Sequence, residues 1–159
     1  MRHNFLRLIF MLAIIPAFCQ TANVSVANDI DGMKLVVNGE DFIINGMNWD
    51  YVPIGQNYSY NFWAQPDDFI KAALDSEMGL LKNMGVNTIR VYTGMQPKWV
   101  QHIYENYGIY TMINHSFGRY GLTLDGTWMA NTEYSDPRAR AFLLKEATDM
   151  MNEFKDTPG

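Results

Sequence analysis

Aromatic residues are concentrated in two stretches of the sequence that also carry amide, hydroxyl and charged side chains. They are Trp49, Tyr51, Tyr58, Tyr60, Phe62 and Trp63 in the first stretch, and Phe117, Tyr120, Trp128 and Tyr134 in the second. Sugar rings stack their apolar C–H faces on aromatic rings, while their hydroxyl groups need polar partners. The mixture indicates carbohydrate binding. The alternative is that the rings only pin two loops to the rest of the fold.

Arg90 is a charged residue inside the apolar run from Thr88 to Tyr92. A buried guanidinium is costly unless it is paired with a carboxylate or with several carbonyl groups. Two interpretations stay open. Arg90 either holds a catalytic carboxylate in its ionised form or belongs to an ordinary structural ion pair.

His115 ends a second apolar run, which begins at Ile109, and it lies between Asn114 and Ser116. A lone histidine is often a satisfied structural group, but the position just before a long loop favours a functional role equally. His102 is expected on a helix surface. His3, His102 and His115 lack the spacing of metal ligands.

The elements that position these residues begin with a hairpin. Two apolar runs between Lys34 and Ile44 flank Asn38-Gly39, a dipeptide that tolerates the positive φ angles of a tight turn. The second run continues through Asn45 to Trp49, where a further strand is expected.

Three amphipathic helices follow, and proline marks the start of each. Pro66 and Pro97 open the first two, and Asp136-Pro137 opens the third. Gly85 and Gly108 end the first two helices with left-handed caps. The apolar stripes are Ile70, Leu74, Met78, Leu81 and Met84; Val100, Ile103, Tyr104 and Tyr107; and Ala139, Leu143, Ala147, Met150 and Phe154.

The alternation of strands and helices predicts an α/β protein with parallel strands and right-handed crossovers. The connections from Trp49 to Gln65 and from Ser116 to Ser135 are much longer than is usual between such elements. Both leave the carboxyl end of a strand, which is the side where α/β folds place their chemistry.

The first residues have the pattern of an export signal. A basic start precedes an apolar run from Leu8 to Phe18, which is shorter than the roughly 18 residues that a membrane span needs. Residues 1–22 are therefore expected to be a signal peptide, and the protein to be secreted or located in the periplasm or cell envelope. The alternative is a retained anchor. After cleavage no stable membrane span is expected.

Charge and missing motifs exclude several function classes. The net charge of -5 is not that of a nucleic-acid-binding protein. The sequence has no glycine-rich phosphate loop, no Gly-x-Ser-x-Gly, no His-Glu-x-x-His and no cysteine cluster. We therefore expect no cofactor and no metal, and the expected partner is an oligo- or polysaccharide.

Two segments resemble a known enzyme family. The segment from Val37 to Trp49 is similar to the start of the catalytic barrel in glycoside hydrolase family 2, and Leu81 to Tyr92 resembles that family's second strand–helix unit. Asn87 to Tyr92 followed by Gly108-Ile109-Tyr110 also resembles the fungal β-1,3-glucanosyltransferases. The resemblance implies that residues 33–159 form about three βα units of a TIM (β/α)8 barrel, preceded by a β-hairpin.

The same resemblance implies substrate-holding roles. Arg90 would lie near the nucleophile, Asn48 and Asp50 would end strand one, and His115 would line the subsite of the bond to be cut. These three strand ends, at Asn48, Arg90 and His115, are expected to meet at one mouth. The implied substrate-binding set is Asn48, Trp49, Asp50, Arg90, Tyr92, Asn114, His115, Arg119 and Trp128.

No catalytic residue is assigned in this chain. Retaining glycosidases use two carboxyl groups about 5 Å apart, and in this clan both are glutamates on later strands. Asn152-Glu153 falls inside the third helix. The expectation is a retaining hydrolase of β-linked glycans whose present chain is inactive alone and partly molten, because its sheet has an open edge. The alternatives are a non-catalytic glycan-binding protein and a glucanosyltransferase-like transglycosylase.

Overall fold

The computed structural model describes residues 22–92 and 94–159. The expected signal peptide therefore lies outside the described residues, apart from Ala22. The described chain is a mixed α/β protein with small sheets and three α-helices. Its elements are β1 Val24–Asp29, β2 Gly32–Val37, β3 Glu40–Asp41, β4 Gly46–Asn48, α1 Asp67–Asn83, β5 Thr88–Val91, α2 Pro97–Tyr107, β6 Tyr110–Ile113, β7 Leu122–Leu124, β8 Thr127–Met129 and α3 Pro137–Phe154.

An antiparallel sheet of β1, β2 and β3 forms the amino-terminal part of the described chain. The predicted hairpin turn is confirmed: Asn38 and Gly39 have φ angles of 54° and 88° between β2 and β3. The strand β1 was not predicted. It pairs with β2 along its whole length, from Val24 opposite Val37 to Asp29 opposite Gly32.

The three predicted parallel strands form one sheet in the order β4-β5-β6. Met47 pairs with Ile89, and Ile89 with Thr111. Because side chains alternate along a strand, Ile89 and Val91 share one face of β5, and both are buried in the core. The helices supply the other side of this core with Ile70, Leu74, Met78, Leu81, Trp99, Val100 and Ile103.

The three predicted helices are confirmed, and they begin and end close to the proline, aspartate and glycine residues that predicted their ends. Gly108 caps α2 with a φ of 67°. The Asp136 side chain accepts a hydrogen bond from the Arg138 backbone N–H at 2.8 Å at the start of α3. Met84 differs from the predicted stripe. It is 70% exposed, because α1 ends at Asn83 and Met84 already lies in the cap.

The second long connection contains an antiparallel hairpin, β7–β8, that was not predicted. Its turn is Asp125-Gly126, and both residues have positive φ angles, 50° and 78°. Leu122 and Leu124 are buried in a small second core with Ala139 of α3. The hairpin is therefore attached to α3 through one of its faces.

A cluster of polar side chains centred on Asp75 joins α1 to α2. The Asp75 carboxylate contacts Lys71 at 2.5 Å, His102 Nε2 at 2.7 Å and the Tyr107 hydroxyl at 2.8 Å. The prediction that His102 lies on a helix surface is wrong, because its side chain is only 16% exposed. The Lys71 ammonium, helped by His102 and Tyr107 and opposed by desolvation, lowers the pKa of Asp75 to about 2.

We predict that replacing Gly46 with alanine weakens the parallel sheet. A Cβ at Gly46 would lie 2.7 Å from the Thr88 carbonyl oxygen on β5, so the strands must separate, at a cost of about 1–3 kcal/mol. Gly79→Ala in α1 is the matched control, since nothing lies within 4 Å of its Cβ position, and it should stabilise by about 0.5–1 kcal/mol. Urea unfolding followed by circular dichroism measures both. Equal destabilisation of the two variants would contradict this prediction.

We also predict an acid-dependent contribution from Asp75. The folded-state pKa of about 2 lies below the ordinary 3.8, so the unfolded chain binds the proton first. The stabilisation is complete above about pH 4 and is lost as the pH falls towards 2. Because Asp75 is partly open to water, screening limits it to about 1 kcal/mol. Asp75→Asn should lower stability at pH 7 and flatten the acid limb of stability against pH. An unchanged limb would show that Asp75 does not contribute.

Candidate functional site

Asn48 and Arg90 form a polar pair at the carboxyl ends of two neighbouring parallel strands. The two residues are directly paired between β4 and β5, so their side chains leave the sheet on the same face. Arg90 Nη1 donates to Asn48 Oδ1 at 3.1 Å. The Trp49 backbone N–H donates to the Arg90 carbonyl at 2.9 Å and continues the strand pairing past this point.

The guanidinium of Arg90 has no carboxylate partner within residues 22–92 and 94–159. The described residues therefore do not support the interpretation that Arg90 belongs to a structural ion pair. Its guanidinium carbon lies 5.5 Å from the centre of the Tyr92 ring, which is a cation–π distance. Arg90 thus has spare hydrogen-bond donors that could bind an acceptor from outside the described residues.

A cleft of about 370 Å³ lies at the same ends of β4 and β5 and is lined mainly by the first long loop, whereas Asn48 and Arg90 are not among its lining residues. Its lining residues are Trp49, Asp50, Tyr58, Ser59, Tyr60, Asn61, Phe62, Trp63, Val91, Tyr92 and Gly94. The cleft combines aromatic rings with amide, hydroxyl and carboxylate groups. Predicted site residues Trp49, Asp50 and Tyr92 all contribute to it.

The aromatic rings of the first loop divide into two groups. Trp49 and Phe62 are buried, and their ring centres lie 5.9 Å apart in an edge-to-face contact. Trp63 packs on the same two rings at 6.1 and 4.8 Å. Tyr58, in contrast, is 96% exposed. The buried rings hold the loop in place, and Tyr58 is free to contact a ligand.

His115 does not join the pair of Asn48 and Arg90. Met112 on β6 is paired with Arg90 and shares its face. β6 ends at Ile113, so His115 lies two residues beyond the strand. Its Nε2 lies 3.6 Å from a carboxylate oxygen of Glu146 on α3. The hydrogen-bond and ion-pair contacts of His115 are thus with Glu146 and Phe117 and do not include Asn48 or Arg90. That Asn114 and His115 share one mouth with this pair stays a prediction.

The imidazole of His115 organises the start of the second long loop. Its Nδ1 accepts a hydrogen bond from the backbone N–H of Phe117 at 3.0 Å. Since an N–H can only donate, the neutral ring carries its proton on Nε2, towards Glu146. The Phe117 carbonyl accepts a further hydrogen bond from the Tyr134 hydroxyl at 3.2 Å. His115 thus occupies a structural position between the loop and α3.

The remaining predicted site residues lie on the second long loop. The guanidinium carbon of Arg119 lies 5.7 Å from the centre of the Tyr120 ring. Trp128 is on strand β8 and is 61% exposed. No sequence pattern distinguished this hairpin from the rest of the loop except its Asp125-Gly126 turn.

A further groove, of about 300 Å³, lies between α3 and the connection from β5 to α2. His115 and Tyr92 line it together with the carboxylates of Glu146, Asp149 and Glu153. In the part of the chain that the structure describes, no group of three His, Cys, Asp or Glu side chains could hold a metal ion. Nor is any described helix both long and apolar enough to cross a bilayer.

The fold and the site together define a mixed α/β protein with a polar pair and an aromatic cleft at the carboxyl edge of a parallel sheet. No family model matches the chain, and no curated protein matches it.

Solved structures of one enzyme are similar to the chain. The crystal structure of the exo-chitosanase CsxA from Amycolatopsis orientalis is 20% identical over 83% of this chain, with a TM-score of 0.44. A complex of a single-substitution variant of CsxA with PNP-beta-D-glucosamine is 21% identical over the same share, with a TM-score of 0.46. The chain spans 14% and 15% of the lengths of the CsxA chains in these two structures. A likeness at this level does not extend to activity.

We predict that His115→Leu loosens the second long loop. The Phe117 N–H would lose its acceptor, which costs about 1–2 kcal/mol for a partly buried donor. Tyr134→Phe is the matched variant on the other side of Phe117, because it removes only the hydroxyl that donates to the Phe117 carbonyl. Amide hydrogen exchange at Phe117 should accelerate strongly in His115→Leu and less in Tyr134→Phe. Unchanged exchange in His115→Leu would contradict the assigned hydrogen bond.

Proposed function

We propose that this chain is the amino-terminal part of the catalytic (β/α)8 barrel of a retaining glycoside hydrolase that acts on β-linked glycans outside the cytoplasm. The observation that carries the proposal is the hydrogen bond from Arg90 to Asn48 at 3.1 Å, at the carboxyl ends of adjacent parallel strands. That edge of an α/β barrel is where catalytic and binding groups are placed. The likeness of Leu81 to Tyr92 to the second unit of family 2 adds to it.

Arg90 provides the chemical argument. An arginine with free donors and no described carboxylate partner is suited to hold a carboxylate from another part of a barrel. In the proposed enzyme this partner is the nucleophilic glutamate, kept ionised by Arg90. The nucleophile and the acid/base residue, about 5 Å apart, lie outside this chain. Residues 1–22 direct the protein to export.

The outer edge of β6 pairs with no strand of the described residues, which supports a sheet that continues. The backbone N–H of Thr111 on β6 donates to the carbonyl of Gly159 at 2.9 Å. Residues 155–159 thus return from the end of α3 to the outer side of β6. Met150 and Phe154 on the apolar face of α3 are only half-buried. A fourth parallel strand at this edge would cover these side chains and complete the hydrogen bonding of β6.

The proposed sugar subsite consists of the pair of Asn48 and Arg90 together with the cleft at the same strand ends. Asn48, Asp50 and Asn114 hydrogen-bond the hydroxyl groups of the sugar, and Tyr58 and Tyr92 offer exposed rings. Trp49 supports this cleft from below through its contacts with Phe62 and Trp63. His115 acts indirectly, by fixing the start of the second loop.

The test uses the full chain and NMR titration with methyl β-D-glucoside, methyl β-D-galactoside and methyl β-D-glucuronide. We expect shifts at the side-chain amide of Asn48 and the indole of Trp49, and no hydrolysis of nitrophenyl β-glycosides. Arg90→Lys should weaken binding about tenfold, because the planar guanidinium that holds the Asn48 side chain by a hydrogen bond at 3.1 Å is replaced by a point charge. Arg140→Lys, the same substitution on the exposed surface of α3, is the control.

Three results would overturn the proposal. Turnover by this chain alone would show that the catalytic groups are already present in it. Absence of any shift at the cleft with all three glycosides, or equal effects of Arg90→Lys and Arg140→Lys, would remove the proposed sugar subsite.

A further inference from the structure

We propose that the hairpin β7–β8 carries a second glycan-binding surface, distinct from the cleft at Asn48 and Arg90, which binds the chain of a polysaccharide. We call this surface, formed by Arg119, Tyr120, Gly121 and Trp128, the hairpin platform. It rests on the proposed function only in that the ligand is a carbohydrate.

The hairpin is a fixed support and not a loose loop. Leu122 and Leu124 are buried with Ala139 of α3, and Met129 and Leu143 pack against the same cluster. Along a two-stranded ribbon the side chains alternate between faces. Thr123 is paired with Trp128, so both lie on the face turned away from α3. The apolar inner face anchors the ribbon and thereby orients the outer one.

The indole of Trp128 packs against backbone on one side and is otherwise largely exposed to solvent. A Cβ added at Gly121 would lie 2.7 Å from Cζ2 of Trp128 and would also meet the Met129 carbonyl oxygen. The indole therefore lies against the bare backbone of Gly121, in a space that only glycine leaves. Yet 61% of Trp128 is exposed. A large ring that is already ordered loses little conformational entropy on binding.

The residues beside the indole supply the rest of a sugar site. Tyr120 is 73% exposed, and the Arg119 guanidinium lies 5.7 Å from the centre of its ring. The guanidinium offers five N–H donors to hydroxyl groups. Thr132 Oγ1 donates to the Gly118 carbonyl at 2.5 Å and fixes the backbone just before these residues. Two exposed aromatic rings with adjacent donors match the apolar face and the hydroxyl rim of sugar rings.

The size of the ligand follows from the position of the platform. The cleft is built by the first long loop and the ends of β4 and β5, whereas the platform stands on the second long loop and α3. The two surfaces share no residue, and a polysaccharide offers several sugar rings that can occupy them separately. The ligand proposed for the platform is therefore an extended glycan and not a short glycoside.

The experiment is affinity electrophoresis of the full chain in gels that contain hydroxyethylcellulose, laminarin, xylan or glycol chitosan. We expect retardation by at least one polymer. Trp128→Ala should raise the apparent Kd about tenfold or more, Trp128→Phe should raise it less, and Ile30→Ala should leave it unchanged. Ile30 is the control because it is fully exposed on the separate β1–β2 turn. Tyr120→Ala tests the same platform should Trp128→Ala unfold, as judged by near-ultraviolet circular dichroism.

The outcomes separate this inference from the proposed function. Loss of polymer binding in Trp128→Ala with unchanged binding of methyl glycosides supports the platform, whether or not Arg90→Lys affects those glycosides. The platform is overturned if no polymer retards the chain. It is also overturned if folded Trp128→Ala and Tyr120→Ala variants are retarded like the wild type, in which case the exposed rings are left for a protein partner.

Discussion

The pairing register of three short parallel strands is the constraint on which the site depends. Ile89 and Val91 are buried against the helices, and alternation then leaves Arg90 on the opposite face of β5. A slip of one residue would bury the guanidinium and expose two apolar side chains, so the core fixes the register strongly. Gly46 allows β4 to approach β5 closely enough for Asn48 to reach Arg90. The polar pair is thus positioned by apolar burial behind it.

Much of the fold could be predicted from the sequence because proline and glycine determine the backbone conformation at their own positions. Pro97, Gly108 and Asp136 define helix ends through fixed φ angles, missing donors and side-chain caps, none of which needs knowledge of distant contacts. The hairpin β7–β8 was missed although Asp125-Gly126 is a turn signature of the same kind as Asn38-Gly39. Its strands have only three residues each, too few for a periodicity to stand out.

The side chains of the candidate site were harder to predict. The sequence indicates that His115 follows a strand, but one residue decides which face it occupies, and strand ends are not readable to that accuracy. The aromatic residues posed a similar difficulty. Trp49 and Phe62 are buried while Tyr58 and Trp128 are exposed, and only contacts with distant elements decide between an anchor and a free ring.

The attachment of the second long loop to α3 has a mechanical consequence. His115 approaches Glu146 of α3 at the start of this loop, and Leu122 and Leu124 pack on Ala139 in its middle. Asp136 then caps α3 where the loop ends. The second long loop therefore contacts α3 at three points, and we expect the loop and this helix to move together. Any displacement of α3 relative to the sheet would move Trp128 with respect to Arg90 and so change the distance that the proposed polysaccharide ligand has to bridge.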